Sequence, residues 1–240
     1  MKVNMHLWQG QRSRYIKELS VIYELFTERI YPVFENAEED AQAFQNEKWE
    51  DFMQRPVSED CDIDPGDYVD DFIDIGYERF EILSLMRYRT LVMWISCLCQ
   101  IWEQQLFKLI IDESEHHNSG FTLKTRAVDF GKVKEVYSKF GFDFETLAYW
   151  SKIDELRELV NTVKHGEGRA ANKLRNYRSD FFDMGCSSLS SFGNAGNDTL
   201  NFNGSTLLEE TLNISTNDFK QYLDALIAFW NDIPEHMTLV

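Results

Sequence analysis

The stretch LVMWISCLCQIW, residues 91 to 102, is apolar around almost the whole circumference of a helix. A helix that is hydrophobic on all sides is typical of the interior of a helical bundle. The helical pattern continues on both sides of the stretch, from Asp67 to about Glu115. The uninterrupted apolar run is much shorter than the roughly 20 residues that a helix needs to span a bilayer. We therefore predict one very long central helix of a soluble protein.

Several further segments have the periodicity or the end signals of helices. The segment Arg12–Met53 places apolar residues at a helical spacing, and Pro32 should kink or divide it. Ser215 and Asp218 form a predicted capping box at the start of a final helix. The other helices are predicted at 129–140, where Gly141 stops the helix, at 151–165, from Ala170 to Phe182, and at 216–232.

The chain contains few residues that break helices, with four Pro and twelve Gly among 240 residues. Residues 183–206 are rich in Ser, Asn and Gly, which predicts a long loop or a small hairpin, and residues 207–214 predict a short strand. We find no internal repeat and no clean domain boundary. We therefore predict an all-α fold over residues 1–240: a single-domain antiparallel helical bundle with long central helices and a small β or loop insertion (183–214) before the last helix.

Charge is segregated along the chain, whose formal net charge is −17. Residues 35–81 hold 17 acidic and three basic residues, a local charge of −14. Residues 122–178 instead hold 12 Lys and Arg against eight Asp and Glu, a local charge of +4. Because phosphate binding follows the local potential, the overall acidity does not exclude an RNA partner.

The sequence predicts no metal and no cofactor. Cys61, Cys97, Cys99 and Cys186 lack the spacing of zinc ligands, so we expect buried free thiols. The stretch DCDIDPGDYVDD, residues 60 to 71, approaches a calcium loop, but proline occupies the position that requires glycine. Signal-peptide, nucleotide-binding and zinc-protease motifs are absent from the sequence. We expect a cytoplasmic protein that does not associate with membranes.

The densest group of polar side chains lies in LRELVNTVKHGEG, residues 156 to 168. On a helical wheel, Arg157, Asn161, Lys164 and His165 border the apolar sector, where side chains are half-buried and held in place, as catalysis requires. An ordinary helix end explains the same residues, because cations there complement the helix dipole and Gly166 ends the helix. The apolar sector consists of Ile153, Leu156, Leu159, Val160 and Val163, and beyond the polar sector lie Glu155, Glu158 and Thr162.

Two stretches resemble the HEPN superfamily of bacterial defence loci. NTVKHG, residues 161 to 166, is similar to an N-x-x-K-H-G motif of HEPN-like proteins, and WISCLCQIWEQQL, residues 94 to 106, looks like the preceding bundle helix of such proteins. The resemblance implies a metal-independent endoribonuclease, acting as a toxin or effector in bacterial stress or antiphage defence. It further implies a homodimer and a partner protein encoded nearby, such as an antitoxin, a sensor or an ATPase.

The ribonuclease hypothesis assigns roles to six residues of this chain, and of these the resemblance itself maps Arg157 and His165. Arg157 would stabilise the charge on the phosphate, His165 would act as general base or acid, and Asn161 would orient the scissile group. Lys164, Arg169 and Lys173 would bind RNA phosphates. Histidine suits the acid–base role because its ordinary pKa is about 6.5.

The spacing of Arg157 and His165 makes a dimer part of the nuclease hypothesis. Along one helix the two residues are about 12 Å apart, too far to share one phosphate. An antiparallel partner helix would bring Arg157 of one chain beside His165 of the other. The alternative is a non-catalytic interaction or sensor module that keeps the HEPN-like fold, with the acidic 35–81 segment as a partner-binding or nucleic-acid-mimicking surface.

Overall fold

The computed structural model describes residues 4–55, 64–116, 129–183 and 212–239, and the predicted all-α fold is confirmed within them. The helices are α1 (Gln9–Leu25), α2 (Ala37–Met53), α3 (Val69–His116), α4 (Phe130–Lys139), α5 (Trp150–His165), α6 (Arg169–Tyr177) and α7 (Thr216–Asp232), and the strands are β1 (Asn4–His6) and β2 (His236–Thr238). The chain separates into a larger unit, Met1–Leu25 with Val92–Val240, and a smaller unit, Phe26–Leu91.

The larger unit has a core of aromatic and aliphatic side chains between its helices. Tyr15 of α1 packs on Trp230 of α7, with ring centroids 4.7 Å apart. Trp102 of α3 meets Phe229 of α7 edge to face at 5.1 Å. Helix α5 packs against both α6 and α7. This core fixes the end of α5, where the predicted site lies.

Helix α3 is buried on one side within the larger unit. Its fully buried residues follow the helical repeat and include Ile95, Leu98, Trp102, Leu106 and Leu109. The opposite side is open, since Met93 is 62% exposed and Cys97 is exposed. The stretch 91–102, although apolar almost all round, is therefore buried on one side only. Its repeat of buried residues is that of an amphipathic helix, and the exposed side is covered by nothing in the described part of the chain.

Helix α3 is also long and apolar enough to cross a membrane by length and composition. Within Pro65–Ser114, an 18-residue window has a mean hydropathy of 1.3, and 33% of that window is buried. The apolar run that begins at residue 91 is by itself too short to predict a membrane span, whereas the whole helix passes this test of length and hydropathy. One such helix is weak evidence for a membrane protein, because the core helix of a soluble protein has the same length and composition.

The smaller unit contains the break that Pro32 predicts. After α1 the chain forms a π-helical turn, Phe26–Ile30, and a 3-10 helix, Tyr31–Phe34, before α2 begins. Pro32 lies in the first turn of the 3-10 helix, where its missing N–H costs no hydrogen bond. The predicted division of the Arg12–Met53 segment is therefore confirmed.

Helices α2 and α3 approach closely within the smaller unit at Gly76. A Cβ on Gly76 would lie 3.1 Å from the Cβ of Gln45 and closer still to the end of the Gln45 side chain. An aromatic cluster closes the same pair of helices, with Trp49 and Phe72 edge to face at 5.2 Å. Glycine at position 76 thus permits close packing of two helices and leaves α3 unbroken.

Both ends of α7 are held by polar side chains. At the start, the Ser215 hydroxyl accepts from the Asp218 N–H while Oδ2 of Asp218 accepts from the Ser215 N–H, which confirms the predicted capping box. At the end, the buried guanidinium of Arg12 donates to the carbonyl oxygens of Trp230, Asn231 and Ile233. These carbonyls belong to the last turn and the residue after it, which lack partners within the helix.

The remaining helix predictions are confirmed with one change. Helix α4 is followed by Gly141 at φ 79°, and α5 by Gly166 at φ 70°, both left-handed conformations that favour glycine. The helix predicted from Ala170 to Phe182 is shorter. It ends at Tyr177, Arg178 leaves the helical conformation at φ −143° and ψ 72°, and a 3-10 helix follows over Ser179–Phe182.

The predicted β insertion (183–214) falls mainly on residues 184–211, which lie outside the described ranges. The described end of the predicted strand, residues 212–214, is not a strand. A two-stranded sheet occurs elsewhere, where β1 pairs antiparallel with β2 in a register that joins Asn4 to Thr238 and His6 to His236. The sequence did not predict this pairing, because both strands have only three residues.

Candidate functional site

The predicted polar cluster lies at the end of α5 and in the turn to α6. Gly166 donates to the Thr162 carbonyl oxygen at 2.8 Å and closes α5, and α6 begins at Arg169. Arg157 and Asn161 are half-buried, whereas Lys164 and His165 are exposed. The expectation that all four side chains are half-buried is therefore wrong for the last two, because the core face of α5 turns away from them.

The core face of α5 is wider than the helical wheel predicted. Glu155 is only 5% exposed and Thr162 is fully buried, although both were expected beyond the core. The Thr162 hydroxyl donates back to the Glu158 carbonyl oxygen at 2.7 Å, which lets this polar residue enter the core. Helix α7 packs against the side of α5 that the helical wheel placed beyond the core.

Arg157 is engaged by two residues of the larger unit. Its Nε donates to Oε1 of Glu103 on α3 at 2.7 Å, and its guanidinium lies 3.5 Å from the ring centroid of Phe130. The two side chains are 19% and 29% exposed, so this ion pair is partly shielded from water. These contacts give Arg157 a structural role, because they tie α5 to α3 and to the start of α4.

Lys173 is held in the same way by two carboxylates of α5. Its Nζ lies 2.6 Å from Oδ2 of Asp154 and 2.8 Å from Oε1 of Glu158, and the Tyr177 hydroxyl also donates to Asp154. Burial would raise the pKa of Asp154, but the hydrogen bonds from Lys173 and Tyr177 outweigh it and leave that pKa below its usual value. Lys173 thus joins α6 to α5 and is neutralised there.

Lys164, His165 and Arg169 differ from the other basic residues of α5 and α6. All three are exposed, and none has a hydrogen bond or an ion pair with the described residues. The other basic side chains of these helices and of the residue after them are all paired with carboxylates: Lys152, Arg157, Lys173, Arg175 and Arg178. The unpaired charge is therefore concentrated at the α5–α6 turn (residues 164–169), next to the half-buried Asn161.

A buried ionic cluster around Glu155 was missed by the sequence analysis. Oε1 of Glu155 accepts from the Tyr222 hydroxyl at 2.8 Å and from Arg178 at 3.3 Å, and Lys152 lies 2.9 Å from Oε2. Arg178 also lies 2.6 Å from Asp218. Burial, followed by the Glu155 charge, raises the pKa of Tyr222 far above its usual value.

The cluster around Glu155 ties α5 to the capping box of α7, and every charge in it has a partner. We therefore assign it a structural role. Arg178 follows the end of α6 in a non-helical conformation, and its guanidinium reaches both Glu155 of α5 and Asp218 of α7.

Metal and thiol chemistry have little support in the described residues. They contain no group of three or more His, Cys, Asp or Glu residues able to hold a metal ion. Cys99 is buried, and burial followed by the charge of Glu103 raises its pKa to about 12, so the thiol stays protonated. Cys97 is exposed, which corrects the expectation of a buried thiol. Asp60 and Asp62 of the stretch that approaches a calcium loop lie outside the described ranges.

Comparisons with known proteins add no assignment: no family model, no curated protein and no solved structure matches this chain.

Proposed function

We propose that this chain is a cytoplasmic HEPN-like module of bacterial stress or antiphage defence that binds RNA through the α5–α6 turn. The observation that carries the proposal is the unpaired charge of Lys164 and Arg169 beside the exposed imidazole of His165. In a chain of net charge −17, carboxylates neutralise the neighbouring cations and leave these three open. An anionic partner is the natural complement of such a group.

RNA is the anion that fits the position best. Lys164 and Arg169 flank a glycine-containing turn, so phosphates approach without meeting a bulky side chain at Gly166 or Gly168. Asn161 is half-buried beside them and offers an amide that can donate to a phosphate or a ribose hydroxyl. Lys173 and Arg157, predicted to contact RNA, hold the surrounding helices in place instead.

Binding to single-stranded RNA at increasing salt tests this proposal. The affinity should fall linearly with salt on logarithmic axes, because bound cations release counterions from RNA. The variant Lys164→Gln/Arg169→Gln should bind more weakly and reduce the slope by about 1.4, about 0.7 for each lost phosphate contact on a single strand.

A matched control is Lys139→Gln/Lys220→Gln, which removes two exposed cations elsewhere in the larger unit. The control should bind like the wild type. Equal weakening by the two variants would refute a local site, because it would mean that net charge alone governs the affinity. Binding that is insensitive to salt would refute the electrostatic basis of the proposal.

A second candidate function is RNA cleavage by the same turn, as a metal-independent endoribonuclease toxin or effector. The observation that favours it is the exposure of His165 between two unpaired cations, which leaves its imidazole open to a 2′-hydroxyl. Arg157 and His165 of one helix are too far apart to share a phosphate, so cleavage would require a homodimer that places Arg157 of one chain beside His165 of the other. A partner protein encoded nearby would then regulate the enzyme.

A further inference from the structure

A pair of histidines lies across the small sheet, away from the α5–α6 turn. His6 of β1 and His236 of β2 are directly opposed in the antiparallel register. Their Nδ1 atoms are 2.6 Å apart, and the rings meet edge to face at 82°. The pair is open to solvent, since His236 is exposed and His6 is half-buried.

The backbone of the sheet holds the two imidazoles together. The His6 N–H donates to Oε2 of Glu113 at 2.8 Å, and the next residue, Leu7, donates to the Glu235 carbonyl oxygen at 3.0 Å. One neutral imidazole must donate its Nδ1 proton while the other accepts it. The register therefore places two nitrogen atoms of the type that binds transition metals 2.6 Å apart.

We propose that His6 and His236 bind one divalent transition-metal ion of the copper(II) class through their Nδ1 atoms, with the proton of the Nδ1–Nδ1 hydrogen bond moving to Nε2 of its own ring. Two nitrogens at about 2.0 Å from a metal and at right angles to each other are about 2.8 Å apart, and right angles between ligands are typical of tetragonal copper(II) or nickel(II). Tetrahedral zinc requires about 3.3 Å between them. The observed separation of 2.6 Å is closer to the right-angle value than to the tetrahedral value. Copper(II) also binds nitrogen ligands most tightly among the divalent first-row metals.

As far as the described residues go, water molecules occupy the other coordination positions of the ion. No third His, Cys, Asp or Glu joins the pair in the part of the chain that the structure describes. The site is therefore open and exchanges its metal easily. Because the ion bridges β1 and β2, it also stabilises the folded chain by mass action.

Trp8 provides an optical reporter for this site. Its ring stacks on His6 with centroids 5.8 Å apart and planes 20° apart, and it is 65% exposed. Copper(II) quenches tryptophan emission at short range. Titration of untagged protein with copper(II) should therefore quench a saturable fraction of the emission at one equivalent. Trp8→Phe should lose that quenching and retain the binding heat in calorimetry.

Variants of single histidines locate the ligands. His6→Asn and His236→Asn should each abolish the saturable copper(II) phase. His165→Asn, at an exposed histidine of α5, is the matched control and should retain it. Zinc should bind more weakly than copper(II) to the wild type.

Two results would overturn the proposal. The first is saturable binding that survives His236→Asn or is lost only in a control variant. The second concerns wild-type protein, so that it holds even if a variant fails to fold. Electron paramagnetic resonance of the copper(II) complex should show coupling to two imidazole nitrogens, and coupling to one or none would exclude the pair as the site.

Discussion

Arg157 and Glu103 form an ion pair at 2.7 Å that joins the last helical turns before the candidate site to the long helix α3. The same guanidinium lies over the ring of Phe130, so one side chain of α5 contacts two other helices, α3 and α4. An arginine in this setting contributes to stability through packing as well as charge. The residue that the HEPN resemblance assigns to catalysis therefore has a structural function in the single chain.

Substitution of Arg157 should destabilise the protein. We expect Arg157→Ala to lower the free energy of unfolding by about 2 kcal/mol, because it removes a partly buried ion pair and a cation–π contact. Urea denaturation measures the loss. Lys164→Ala, in the exposed last turn of the same helix, is the control and should change stability by less than about 0.5 kcal/mol. Wild-type stability in Arg157→Ala would contradict the structural role.

Arg12 should contribute still more, because it is buried and caps α7. Arg12→Met should lower the free energy of unfolding by about 3 kcal/mol, since it leaves three carbonyl oxygens without a charged donor. Arg14→Met is a matched control in the same helix, where the exposed arginine pairs only with Glu18. Equal effects of the two variants would refute the capping role, and chemical denaturation compares them directly.

Local features of this fold could be predicted from the sequence. The capping box of Ser215 and Asp218 depends on residues three positions apart, and the ends of α4 and α5 depend on single glycines at left-handed positions. Such signals need no knowledge of distant residues. The helix content and most helix bounds follow from them.

Pairings between distant residues could not be predicted in this way. Glu155 appears exposed on a helical wheel and is buried because Tyr222 of α7 donates to it. Lys173 appears free for phosphate and is neutralised by two carboxylates of α5. The candidate site therefore changed from six predicted residues to the α5–α6 turn, since tertiary pairing decides which cations remain open.

Stability should fall in acid as the carboxylate of Asp218 is protonated. Burial would raise the pKa of Asp218, but hydrogen bonds from Ser215 and Arg178 outweigh it and lower that pKa in the folded state. A carboxyl group with a depressed folded pKa stabilises the fold fully above its unfolded pKa, about 3.9, and loses that contribution as the pH falls through the folded pKa.

Unfolding free energies measured from pH 7 down to about pH 2.5 should therefore decline below about pH 4. Asp218→Asn should be less stable at pH 7 and should flatten part of this decline. Asp224→Asn, at an exposed aspartate of the same helix, is the control and should keep the wild-type profile. A parallel decline in all three proteins would show that Asp218 does not contribute.

Mixed dimers decide between RNA binding alone and RNA cleavage. Arg157 cannot be removed by itself without leaving Glu103 unpaired, so Glu103→Gln/Arg157→Gln replaces both charges together. This variant and His165→Asn should each abolish cleavage that the wild type performs in the presence of EDTA.

If each site pairs Arg157 of one chain with His165 of the other, a mixed dimer contains one intact site and one doubly broken site. Its activity should then approach half that of the wild type. A site within one chain gives no recovery, because every site carries a lesion. If the wild-type protein binds RNA and leaves it uncut, the cleavage hypothesis is rejected and the binding proposal stands. The salt dependence of the RNA affinity, to which Lys164 and Arg169 contribute, does not require a chemical reaction.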